Sequence, residues 1–103
     1  DMAAPLDLDG RYHLALLHNA GADYEAGLTV ARSILDESPN HLLGLSAAGD
    51  AAAGMGDTEA ARDFYQRFLD AYDAEIARGL TEYTEHVNAL APARQRAVAA
   101  TSP

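Results

Sequence analysis

Apolar residues recur along this chain at helical spacing, in blocks separated by short breaks rich in Gly, Pro, Asn and Asp. Over residues 9–20, Leu14, Leu17 and His18 mark one face, and Gly21 stops the helix. Asp23 is placed to cap a second helix over 24–37, with Leu28, Ala31, Ile34 and Leu35 inward, ended by Ser38-Pro39-Asn40. A third helix over 41–54 carries Leu42, Leu45, Ala48, Gly49 and Ala52 on one stripe. After Gly54-Met55-Gly56, Asp57 caps a fourth helix with Ala61, Phe64, Tyr65, Phe68, Leu69 and Tyr72 as its apolar side. Asp73 stands where a second Pro would end it, so this helix is expected to run on to Arg78, with Gly79 as its C-cap. A fifth helix is expected from Thr81, with Tyr83, Val87, Leu90 and Val98 inward and a kink or restart at Pro92. Residues 101–103 should fray. No period-2 pattern of a strand survives anywhere.

The blocks also repeat. Shifting the sequence by 34 positions pairs Leu8 with Leu42, Gly10 with Gly44, Asp23 with Asp57, Glu25 with Glu59, Ala26 with Ala60, Leu35 with Leu69 and Asp36 with Asp70. Ala15 with Gly49, Gly27 with Ala61 and Ile34 with Phe68 are conservative matches in the same register. These positions fall where two packed helices need small or apolar residues. Gly49 in particular costs about 1 kcal/mol against Ala inside a helix, which points to close contact with the neighbouring helix, near Ala61.

In period and in motif the chain resembles the tetratricopeptide repeat family. The resemblance covers residues 9–72 as two repeats, 9–40 and 41–72. The second carries Leu45, Ala48, Gly49, Ala52, Gly56-Asp57, Ala61, Tyr65 and Phe68-Leu69. The first keeps Leu14-Ala15, Asp23-Tyr24, Gly27, Ile34-Leu35 and Pro39, and departs at Arg11, where the family favours a large aromatic. The resemblance implies an all-α fold of antiparallel helix–turn–helix units in a right-handed superhelix, about five helices here. Residues 1–8 form a lead-in, and 73–103 an extended helix and a C-terminal capping helix. It further implies a concave groove lined by the first helix of each unit.

Composition narrows the function. A net charge of −9, with seven Arg and no Lys, lacks the basic footprint that nucleic acid requires. Ala supplies 23 of the 103 residues, so helices can approach closely while each Ala buries little area. The absence of Cys removes disulfides, thiolate metal sites and thiol nucleophiles. No apolar run reaches the ~18 residues of a membrane span, and no targeting segment is visible, so a soluble cytoplasmic or periplasmic location is expected without a choice between them.

Catalytic and metal chemistry find little support in the pattern. Asp9 with His13, and Glu82 with His86, each share a helix face at i,i+4 spacing, but nothing in the sequence joins the two pairs, and a metal needs three or four converging ligands. Asp7-Leu8-Asp9-Gly10 lacks the further ligands of a calcium loop. The glycines from Gly49 to Gly56 are explained by the repeat register, and no Lys follows them as in a phosphate loop. Carboxylates on exposed turns, such as Asp36-Glu37, Asp70 and Asp73, have no reason for shifted pKa values. No catalytic residue, cofactor or metal is therefore expected.

The resulting expectation is a non-catalytic protein-interaction module. On the repeat geometry its groove is lined by Asp9, Tyr12, Leu16 and Asn19 of the first helix and by Leu43, Ser46 and Asp50 of the third. The carboxylates and the scarcity of nearby cations favour a basic or apolar peptide segment. The alternative is a structural or self-associating domain of a larger chain or a homodimer.

Overall fold

The computed structural model describes residues 7–102. Six helices follow one another: α1 Leu8–Ala20, α2 Tyr24–Glu37, α3 Leu42–Gly54, α4 Thr58–Ala77, α5 Thr81–Glu85 and α6 Val87–Thr101. No strand occurs among the described residues. Of the expected lead-in over 1–8, residues 1–6 lie outside the described residues; Asp7 caps α1 by accepting the Gly10 N–H at 2.7 Å.

The repeat is visible in the turns themselves. At the end of α1, the N–H groups of Gly21, Ala22 and Asp23 donate to the carbonyls of Leu17, Asn19 and His18. Thirty-four positions on, Met55, Gly56 and Asp57 donate to Ala51, Ala53 and Ala52 in the same pattern. Both turns need one left-handed residue: Gly56 has φ 79°, and Ala22 holds the equivalent place at φ 61°. The long α4 is capped at Arg78, with Gly79 left-handed beyond it at φ 66°.

The core is organised around α3, of whose 13 residues ten are buried. A helix apolar on every side belongs in the middle of a bundle. α2 and α4 flank α3, with α1 beside it, and α6 runs antiparallel to α4 along its other side. Gly49 lets Tyr65 of α4 cross closely: a Cβ at Gly49 would lie 2.5 Å from the Tyr65 ring. The close partner is thus Tyr65, one turn beyond the expected Ala61 region.

Three other expectations need correction. In α1 the buried residues are Tyr12 and Ala15, while Leu17 is 70% exposed. The inward face is rotated because Tyr12, next to Arg11 where the family favours an aromatic, supplies the large apolar side chain. In the C-terminal part Tyr83 and Leu90 are buried as expected, but Val87 is 59% and Val98 49% exposed, and Ala93 and Ala97 take the inward places. Finally, the C-terminal segment is two helices, with the break at His86 and Pro92 inside α6. Pro92 lies inside α6, beyond its first turn, where its missing N–H leaves one carbonyl of the preceding turn without its helical partner. His86 is the residue that α1 holds.

Candidate functional site

Two elements decide what the expected groove becomes. The first is the docking of α5 on the N-terminus of α3. Leu42 begins α3, and its N–H, one of the orphan donors of a helix start, donates to the Tyr83 hydroxyl at 2.9 Å. That hydroxyl donates in turn to Glu75 at 2.6 Å, and Glu75, though buried, is also held by Arg78 at 3.0 Å. Burial, and then the hydrogen bond to Glu75, push the Tyr83 phenol well above its ordinary range. His41 caps the same helix: its Nδ1 accepts the Gly44 N–H, so the proton sits on Nε2, which donates to Glu82 at 3.1 Å. This fully buried histidine is therefore a structural cap.

The second is α6. Arg96 donates through Nε and Nη2 to the two carboxylate oxygens of Asp50, at 3.1 and 3.0 Å, and also reaches Ser46 Oγ at 3.3 Å. Asp50 additionally accepts the Tyr65 hydroxyl at 2.5 Å. Burial works against the Arg96 charge, but the Asp50 carboxylate outweighs it and raises the guanidinium pKa. Burial, followed by that carboxylate, raises the Tyr65 phenol too.

The seven groove residues expected from the sequence are placed as follows. Asp9 bonds His86 at 2.6 Å. Tyr12 is buried, its ring edge-on to His86 at 5.0 Å, and burial, then Asp50, raises its phenol pKa. Asn19 donates to the Ala47 carbonyl at 3.2 Å and ties α1 to α3. Leu43 is core, Ser46 and Asp50 lie under Arg96, and Leu16 surfaces. Four of them, Asp9, Tyr12, Ser46 and Asp50, face the C-terminal helices of their own chain. Of the two i,i+4 pairs, Asp9 and His13 stay together, whereas Glu82 turns to His41 and His86 joins Asp9 and His13.

An open groove lies elsewhere, between the second half of α4 and α5–α6. Two adjoining depressions of about 400 and 380 Å³ share Tyr72 and Ala91. Ile76, Val87, Leu90 and Val98 complete an apolar wall. Arg94 stands at the rim with its guanidinium 5.1 Å from the Tyr72 ring. The groove is not among the sequence expectations, which place Val87 and Val98 inward; the structure leaves both exposed on one side of α6.

The arrangement defines a helical-repeat protein, two antiparallel helix pairs joined by equivalent turns and followed by a helical cap. Residues 45–74, covering most of α3 and α4, match the family model of the tetratricopeptide repeat. That segment carries a tetratricopeptide repeat, a unit whose family generally binds other proteins. No curated protein and no solved structure matches it. Among the described residues no helix is long and apolar enough to cross a membrane.

Proposed function

We propose that the chain is a non-catalytic protein-interaction module that receives an amphipathic helix of a partner protein in the groove between α4 and α6. The carrying observation is the continuous apolar wall of Ile76, Val87 and Val98, side chains left substantially exposed at 39, 59 and 49%. In a helical array, such a face is where a following helix packs, and a partner helix with apolar residues at i, i+3, i+4 and i+7 has the matching stripe. Arg94 is the charged side chain lining this groove, so an acidic residue beside the partner's stripe suits it.

A second reading attaches to Asp9, Tyr12, Ser46 and Asp50. Their preference for a basic or apolar segment is met in cis, since α6 brings Arg96 to Asp50 and packs Ala93 and Ala97 inward. We assign these residues to holding the chain's own C-terminal helix, so that a peptide for that face competes with α6. Selection of helical peptides from a displayed library against the full chain tests both assignments. Selected peptides should carry an apolar stripe, lose affinity for Val98→Asp, and shift amide resonances of α6 and the second half of α4. Peptides that ignore Val98→Asp and perturb α1 would overturn the groove assignment. Self-association abolished by Val98→Asp would give the groove to a second copy instead.

A further inference from the structure

The fold assembles a three-donor cluster that neither helix pair contains alone. Asp9 and His13 lie one turn apart on α1, and His86, 77 residues after Asp9, enters from the α5–α6 junction. His86 Nε2 is 2.6 Å from Asp9 Oδ1, His13 Nε2 is 3.5 Å from Asp9 Oδ2, and the three ligand atoms all lie within 4.8 Å of one another. The two imidazoles meet edge-on at 4.9 Å. In a tetrahedral zinc site with bonds of 2.0–2.2 Å, donor atoms stand about 3.4 Å apart. The separations from the two Asp9 oxygens to the two imidazoles bracket that value, and His13, on the exposed side, can adjust by turning its ring.

We propose that Asp9, His13 and His86 bind a divalent zinc-like cation, with the fourth position open to solvent beside His13. Two imidazoles and a carboxylate are the donor set that late first-row divalent ions favour. The acidic surface, at net charge −9, adds attraction for any cation. Tyr12, edge-on to the His86 ring, restrains one ligand before the ion arrives. His86 is the break between α5 and α6, so the ion pins the start of α6 to α1. Its effect is therefore structural: a cross-link over the C-terminal cap that raises stability by mass action.

Titration of the untagged full chain with Co(II), followed by displacement with Zn(II), tests this. One equivalent should bind and give the intense visible bands of a four- or five-coordinate cobalt site. Zn(II) should displace it and raise the melting temperature. His86→Ala, His13→Ala and Asp9→Asn should each weaken binding at least roughly tenfold, while His18→Ala leaves it unchanged. His13→Ala removes an exposed side chain, so its loss of binding cannot be ascribed to unfolding. Only weak six-coordinate cobalt spectra, or binding that His86→Ala leaves intact, would overturn the site.

Discussion

Arg96 and Asp50 form a two-pronged ion pair between α6 and α3, both nitrogens within 3.1 Å of the carboxylate. It is the main polar tie of the C-terminal helix to the centre of the bundle. Asp50 keeps 25% of its side-chain surface, so solvent screens the pair in part. Arg96→Ala should therefore lower stability by about 1 kcal/mol. The more telling readout is local: hydrogen exchange should accelerate in α6 well before α3 and α4 respond. Uniform acceleration across all helices would show that α6 does not detach as a unit.

Tyr83 predicts a response to alkali. Its phenol, with those of Tyr65 and Tyr12, has a pKa raised above 10.0 by burial. The folded chain then keeps protons that the unfolded chain releases, so the stabilisation is complete below pH 10.0 and declines as pH rises beyond it. Denaturation midpoints measured from neutral to strongly alkaline pH should fall over that upper window. Tyr83→Phe should shrink the decline and, by leaving Leu42 N–H and Glu75 without the hydroxyl, cost about 1 to 3 kcal/mol at neutral pH.

Gly49 is the point of closest approach between α3 and α4. Because a Cβ there falls 2.5 Å from the Tyr65 ring, Gly49→Leu should cost on the order of 1 to 3 kcal/mol despite the better helix propensity. Gly49→Ala should also destabilise, and less so in a Tyr65→Leu background. Thermal unfolding of the parent, Gly49→Ala, Tyr65→Leu and the double variant reads this directly, and strict additivity would mean that the two residues do not compete for space.

Ala22 offers the opposite case. It occupies a left-handed conformation at φ 61° that its counterpart, Gly56, adopts freely. Ala22→Gly should relieve that strain, partly offset by the greater freedom of Gly in the unfolded chain, for a net gain of about 0.5 to 1 kcal/mol. A fall in melting temperature would mean that the turn tolerates Ala without cost.

The helices and the 34-residue period were legible because periodicity and turn residues act locally: Gly21, Pro39, Gly56 and Gly79 punctuate the chain where the structure turns. What sequence did not reveal is what covers each face. The groove reading put Leu43 and Ser46 at a surface, although α3, with Asp50 its single charged residue, has no polar side to offer to water. That all-round apolar character was the available sign that another element must lie over it. Asp9 and His13 were legible as an i,i+4 pair, but their meeting with His86 was not, because it depends on how far α6 folds back, which no local spacing encodes.

The contact between Asp9 and His86 changes how the molecule should fold. In an open array each unit touches only its neighbours, so structure can begin at one place and spread, and ends can melt separately. Here the first helix is completed by a residue 77 positions downstream. Closing that long loop must precede the last native contacts of α1, which slows folding relative to a purely local helical chain. It also ties α1 to the α5–α6 junction, so that when α6 detaches, α1 should loosen with it before α3 and α4 respond.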